Sequence, residues 1–400
     1  MLLEHILDFH SEQSAEAECR RENRAGFVCM NMKLYHIFVI YEDHAVSERE
    51  KRFVKLTRRI FADIFGALFH YALRTVEKFY VFTGKFGEIC LCRSIMAFAV
   101  LRADHGMVTE CRKHALKHHD KALAARIDKL WREVDWNFYR QNGQNVLYWH
   151  WSPEYGWEMN FPVHGYNECL IMYILAAASP THGVPAAVYH EGWAQNGAIV
   201  DPHKVENIEL HLRYQGTEAG PLFWAQYSFL GLDPIGLKDE YCANYFDEMR
   251  NLTLVNRAYC VRNPKHYKGF GPDCWGLTAS YSVNGYAAHA PNERDDQGVI
   301  SPTAALSSIV YTPEQSLQVM RHLYEMGDKV FGPYGFYDAF SETDNWYPQR
   351  YLAIDQGPIA VMLENYRSGL LWKLFMSHPD VQKGLKELGF STSKQHTILQ

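Results

Sequence analysis

The first 120 residues contain neither tryptophan nor proline, although the whole chain holds ten of the first and sixteen of the second; Trp131 and Pro153 are the earliest. An even scatter would leave such a gap roughly one time in ten thousand. The chain therefore has two compositional regimes, which meet near "KHHDKALAARIDKLW", residues 117–131. Other absences exclude function classes. With a formal net charge of -6, the chain lacks the concentrated basic face that a nucleic acid or an anionic membrane requires. No apolar run approaches the roughly 18 residues of a membrane span. The opening "MLLEHILDFHSEQSAEAE" carries acids where a secretory leader would be basic, so no export signal is expected in the chain as written. Nine cysteines are an odd number and too sparse for a disulfide scaffold; reduced, structural thiols are expected. "HEGWA" at 190–194 ends in Ala194 where an HExxH zinc helix needs its second histidine, "HHD" at 118–120 has no placed partner, and "CLC" at 90–92 is no ligand spacing. Neither a metal nor a cofactor is expected on those spacings. Walker loops, GxGxxG fingerprints and GxSxG elbows are missing too.

What the chain does have is apolar bulk and aromatic rings. Four hundred residues with 47% hydrophobic side chains can bury a large core, in one large domain or in two to three ordinary ones. In the first regime, Phe53, Leu56, Ile60, Ile64, Leu68, Ala72 and Val76 recur at spacings of three and four. That period predicts a long helix near residues 47–82. Lys51, Arg52, Lys55, Arg58 and Arg59 lie on its other faces, and an ordinary solvated surface is the expected reading. "KLYHIFVIYE" at 33–42 fits a buried strand or a helix equally well.

The second regime reads as helices at about 121–141, 167–178, 238–262, 302–310, 313–329, 357–377 and 379–388. In "TPEQSLQVMRHLYEMG", Thr312 is the expected N-cap, Pro313 takes the first helical position, Gln315 completes a capping box and Gly327 ends the element. Between the helices run long loops rich in Gly, Trp, Tyr, Asn and Asp. Loops of that length in a compact domain are usually functional. No strand and helix alternation is evident, so an all-α arrangement of paired helices with a loop-built cleft is expected. Trp149, Trp151, Tyr155, Trp157, Asn160, Trp193, Trp275, Tyr337 and Trp346 are candidates to line it. Sugars stack their C–H faces on such rings and need paired donors and acceptors for their hydroxyls; a peptide cleft is the competing reading. Glu168 stands between an aromatic loop and an apolar run, and Asp355 just ahead of another. Each is either a partly desolvated carboxyl with raised proton affinity or a carboxylate favoured by a helix N-terminus.

Several long motifs, "QNVLYWHWSPEYGWEMNFPVHGYNECLIMYILAAASPTH", "VYHEGW", "GYAAHAP", "GVISPTAALSSIVYTPEQS", "YGFYDAF" and "YLAIDQGPIAVMLENYRSGLLWKLFM", occur in order. Over residues 121–390 the chain resembles the glycoamylase-like proteins grouped with endo-β-1,2-glucanases, glycoside hydrolase family 144. The resemblance implies an (α/α)6 toroid and an enzyme that hydrolyses β-1,2-glucan or its oligosaccharides to sophorose-type products with inversion at the anomeric carbon. It implies Glu168 of "GYNE" as the general acid and Asp355 of "AIDQGP" as the second catalytic carboxylate. Tyr166, Asn167, His289 and Gln356, in the same motifs, join the candidate sugar-binding residues. A monomer acting on an oligosaccharide or polysaccharide, periplasmic or secreted, is expected by the same resemblance. A catalytically impaired sugar-binding toroid and an α-glucan hydrolase of glucoamylase type are the alternatives.

Residues 1–120 do not share the pattern. The acidic cluster the family carries there is matched only by "TGKFGEI" at 83–89. A frame-changed or replaced segment is the expected account, with a toroid incomplete on its N-terminal side, an open cleft and weak or absent hydrolysis. Residues 391–400 read as a flexible tail.

Overall fold

The computed structural model describes residues 121–332 and 334–393. The expectations for the long helix at 47–82, the segment at 33–42 and the rest of residues 1–120 lie outside the described residues. The described part is helix-rich, with nine α-helices: α1 Lys121–Arg132, α2 Leu170–Ala178, α3 Phe223–Gln226, α4 Tyr245–Arg262, α5 Pro302–Leu306, α6 Pro313–Glu325, α7 Ala353–Ser368, α8 Leu370–Met376 and α9 Pro379–Glu387. The expected helices are all found near their places, with different ends. The expected 121–141 segment stops at Arg132, and only a 3-10 turn follows at Phe138–Arg140. Helix α4 starts late because Asn244 caps it, its Oδ1 accepting from the amides of Phe246 and Asp247. The expected 357–377 helix begins at Ala353 and is broken in two by Gly369, whose φ of 64° is the left-handed stop of α7.

The capping box at Thr312 does not form. Pro313 is the first residue of α6 as expected, but Thr312 makes no side-chain cap. Its hydroxyl is drawn instead to Ser308 O and Ser316 Oγ, because a buried hydroxyl takes the nearest polar partners inside the core.

The expectation of an all-α chain needs amending as well. Five antiparallel pairs of strands decorate the loops: β1 Tyr148–Trp149 with β2 Phe161–Pro162, β3 Val200–Val205 with β4 Ile208–Leu212, β6 Ser280–Ser282 with β7 Gly285–Ala287, β8 Phe331–Gly332 with β9 Gly335–Phe336, and β5 Leu237–Lys238 with β10 Ser391–Thr392. Most are too short for a period-2 pattern to emerge in the sequence. The last pair corrects the flexible-tail reading at its start: Ser391 and Thr392 are strand residues, and the Ser393 amide donates to Gly236 O.

One apolar core runs through these elements. Helix α2 is its centre, for all nine residues of LIMYILAAA are buried; a helix apolar on every side has no face to offer to water. Helix α9 packs on α2 at close range. A Cβ on Gly384 would come within 2.7 Å of Ile174 O and Ala178 Cβ, so the small residues on both helices set the approach. The start of α9 is also tied to α1, by Trp131 Nε1 donating to Asp380 Oδ2 at 2.8 Å.

The β3–β4 hairpin is held to α4 by a buried carboxylate. Glu248 accepts from the amides of His211 and Leu212 and from the Tyr214 hydroxyl at 2.9 Å. Glu248→Ala leaves three donors without an acceptor, two of them buried, and is expected to cost roughly 3 kcal/mol. Glu248→Gln, which keeps one acceptor oxygen, is expected to cost clearly less; equal losses for the two in denaturant titrations would show that packing, not the acceptor, matters.

Candidate active site

The aromatic loop lies in the β1–β2 hairpin and folds on itself. Trp151 and Trp157 both pack on Phe138, at ring centroid separations of 5.2 and 5.4 Å, and Trp157 also meets Tyr139 and Tyr148. Trp149 packs against Phe161 at 6.0 Å. All three tryptophans are half-buried, while Tyr155 and Asn160 are exposed. Asn160 sits in the left-handed region at φ 41°, its Oδ1 accepting from Gln141. Trp346 is also half-buried, held in a turn by reciprocal backbone bonds with Ser341.

Other candidates are core. Trp193 and Trp275 are fully buried. Tyr166 is as well, and its hydroxyl is engaged with Trp224 O and Met249 Sδ; it supports the site from beneath and offers no surface to a sugar. Asn167 is committed to structure, Oδ1 accepting from the Cys169 amide at 2.8 Å and Nδ2 donating to Gln215 Oε1 at 2.6 Å. Tyr337 is buried against Tyr351 at 5.1 Å. Gln356 is half-buried and ties α7 to β9 through Phe336 O at 2.7 Å.

Glu168 precedes α2, whose N-cap position is Cys169 and whose first turn has no side-chain cap. Ser228, from the 3-10 turn Tyr227–Leu230, fills that role: its Oγ donates to Glu168 O at 2.7 Å and accepts from the Ile171 amide at 3.1 Å. Glu168 is half-buried as a residue, and burial of its carboxyl raises its proton affinity, partly offset by a backbone N–H. A proton affinity raised by burial suits a carboxyl that must donate a proton.

Asp355 lies in the first turn of α7 and is buried. Its carbonyl accepts from Thr303 Oγ1 at 2.7 Å. Pro358 stands inside the same helix and has no N–H for the carbonyl four residues back, Ile354 O. The Tyr227 hydroxyl donates to that vacant oxygen. Tyr227 is buried, and its phenol is pushed up first by burial and then by the charges of Asp355, Tyr286 and Glu168. The consecutive residues Tyr227 and Ser228 thus fasten the backbones that carry both predicted carboxyls.

The side chain facing Asp355 is Asp338, also buried. Burial first, then the hydrogen bond and charge of Asp338, push the Asp355 carboxyl far above the usual carboxylate range. Asp338 Oδ2 accepts from the Tyr281 amide at 3.0 Å, whereas Asp338 Oδ1 and both Asp355 oxygens find no other partner. Burial and the neighbouring Asp338 thus favour the protonated form of Asp355. His289 is fully buried, with neither ring nitrogen hydrogen-bonded. Burial lowers its pKa, against the pull of backbone oxygens and of Asp338 and Asp295, so the ring is neutral near pH 7. Tyr227, Ser228, Thr303 and Asp338 were not picked out in the sequence. The legible signal was Pro358, because a proline within a helix announces a carbonyl in need of a donor.

The raised Asp355 carboxyl makes a signed prediction. Its folded-state proton affinity exceeds the unfolded one, so its contribution is neutral in acid and turns destabilising as pH climbs above about 3.9, the unfolded value. Asp355→Asn is expected to melt higher than the wild type at pH 7, by at least about 2 °C, with the advantage fading toward pH 4. A difference independent of pH in thermal melts would mean that the two acids are not held in this way.

Comparison with known proteins gives the arrangement a context. Residues 160–379 match the family model Glycoamylase, described as "Putative glucoamylase". An exo beta-1,2-glucooligosaccharide sophorohydrolase (non-reducing end) of Parabacteroides distasonis is 38% identical over 364 residues, covering 86% of this chain and 49% of its own. The chain thus spans about half the length of this curated relative, and the match runs into the first 120 residues. Among solved structures, a "putative glucoamylase" from Bacteroides caccae is 82% identical with a TM-score of 0.70, over 74% of this chain and 70% of the other. The endo-beta-1,2-glucanase from Chitinophaga pinensis, solved with sophorotriose and glucose, is 68% identical with a TM-score of 0.66, over 68% and 65%. The chain belongs to the glycoamylase family.

Proposed function

We propose that the protein is a glycoside hydrolase that cleaves β-1,2-glucan or its oligosaccharides, releasing sophorose-type products with inversion, on an (α/α)6 toroid. The observation that carries the reading is the burial-raised Glu168 carboxyl and the buried Asp355 facing Asp338, on backbones that the consecutive residues Tyr227 and Ser228 fasten. The names of the relatives support the linkage. In the proposed step Glu168 gives its proton to the glycosidic oxygen as the bond from that oxygen to the anomeric carbon breaks. A water attacks that carbon from the opposite face, and its proton passes to the acid pair, which holds one negative charge able to take it. Asp355 is buried, so the proton travels through a substrate hydroxyl or an intervening water. The half-buried tryptophans supply stacking faces for neighbouring glucose units.

A second reading, hydrolysis of α-glucans, is favoured by the family description and by the name of the Bacteroides caccae structure. Parallel assays on linear β-1,2-glucan and on maltooligosaccharides distinguish the two, with turnover expected only on the first. Glu168→Gln is expected to lower that turnover by about 10² to 10⁴ while oligosaccharide binding persists. Because burial raises the Glu168 carboxyl, the protonated, competent form survives above the ordinary carboxylate range. Activity should decline only as pH rises through that elevated value. Near-normal turnover in Glu168→Gln would remove the residue from the role.

A further inference from the structure

The geometry points to a zinc-binding site formed by Cys274, His322 and Glu342, which fastens the turn carrying Trp346 to helix α6. One ligand atom from each of the three lies within 4.8 Å of the other two. They are far apart in sequence and reach the site from three different elements. Cys274 closes the turn bridged between Gly271 and Cys274, His322 projects from α6, and Glu342 sits in the turn bridged between Ser341 and Trp346.

Independent features show that the cluster is built and not a chance meeting of surface groups. His322 Nδ1 faces Asp273 Oδ2 at 3.8 Å, and its Nε2 is buried without a hydrogen-bond partner. At that distance the Asp273 carboxylate is an electrostatic neighbour of the ring, and the unpartnered Nε2 is available to an ion. Gly269, at φ 82°, leaves the space that Glu342 occupies; a Cβ there would collide with its carboxylate. The segment leading into the first turn is already joined to the second turn, Lys268 N donating to Thr343 Oγ1 at 2.8 Å.

A thiol, an imidazole and a carboxylate form a mixed soft and hard donor set that suits Zn²⁺, with water in the fourth position of a tetrahedron. Bonds of about 2.0–2.3 Å to zinc put such ligand atoms closer together than the outer limit seen here, so the side chains would draw in slightly around the ion. On binding, the Cys274 thiol gives its proton to solvent and the thiolate sulfur donates the electron pair of the new bond. Burial and the neighbouring Glu342 charge hold the free thiol protonated, a preference that a cation at this position reverses. The expectation that no metal is bound rested on local spacings, and these donors have none.

The test uses the full chain, reduced and stripped with a chelator. Titration with Co²⁺ is expected to give an equimolar complex with a thiolate-to-cobalt charge-transfer band and the strong visible bands of tetrahedral cobalt, and Zn²⁺ should displace it. Zn²⁺ should also raise the melting temperature. Cys274→Ser should lose the charge-transfer band and the zinc-dependent rise, and Asp273→Asn should bind about tenfold more weakly. Should Cys274→Ser not fold, Glu342→Gln gives the same test from the half-exposed side through lost Co²⁺ affinity. The proposal is overturned if no charge-transfer band forms, or if whichever of these two ligand variants folds binds Co²⁺ like the wild type, which would assign the thiolate and the metal to other residues.

Discussion

A helix carbonyl without its amide is the small vacancy around which the candidate site is organised. Pro358 has no N–H to give to Ile354 O, and an unpaired buried carbonyl costs on the order of 1–3 kcal/mol. The Tyr227 hydroxyl removes that cost, and in doing so brings its ring between α7 and the start of α2. Its neighbour Ser228 meets a second vacancy, the uncapped first turn of α2, by bonding Glu168 O and the Ile171 amide. The residues bearing both carboxyls are therefore positioned through one short turn. A shift of that turn would displace both together, and general acid catalysis tolerates little displacement of its proton donor.

The aromatic residues divide along the same line. Tyr166, Trp193 and Trp275 are buried to completion and belong to the apolar core. Those in the β1–β2 hairpin and the Ser341 to Trp346 turn keep partial exposure and pack chiefly on one another or on loop neighbours. Two aromatic populations of the same composition thus serve different ends: one contributes burial, the other a surface that a ring-shaped apolar face could stack on.

Much of this was legible in the sequence, and the limits are physical. The α6 start with Pro313 and the entirely apolar run of α2 could be read directly, because period and cap residues are local properties. Glu168 and Asp355 stood out through their place beside apolar runs and through the family motifs. Tyr166 and Asn167 were misjudged because a motif gives proximity to a site without giving direction, and both side chains point into structural bonds. Asp338 was overlooked although it lies within "YGFYDAF". Its importance comes from a partner in α7, and no local pattern records a contact between loop and helix. The short strand pairs were missed for a similar reason, since two residues cannot display an alternation.

The acid pair also places stability and activity in opposition. Two adjacent buried carboxyls that lack most of their hydrogen bonds are a poor solution for a core, where an amide or an apolar residue would pack at lower cost. Neutral His289 adds a third buried polar side chain without partners beside them. A fold that retains such a cluster next to a glycine-, tyrosine- and tryptophan-rich loop system carries strain that packing alone does not require. Its retention makes sense if hydroxyls or ordered waters complete the bonding during turnover, when the missing partners arrive with the substrate. The groups that destabilise the resting protein are then the ones that a bound sugar satisfies, and burial raises their proton affinity because those partners are not supplied by the protein itself.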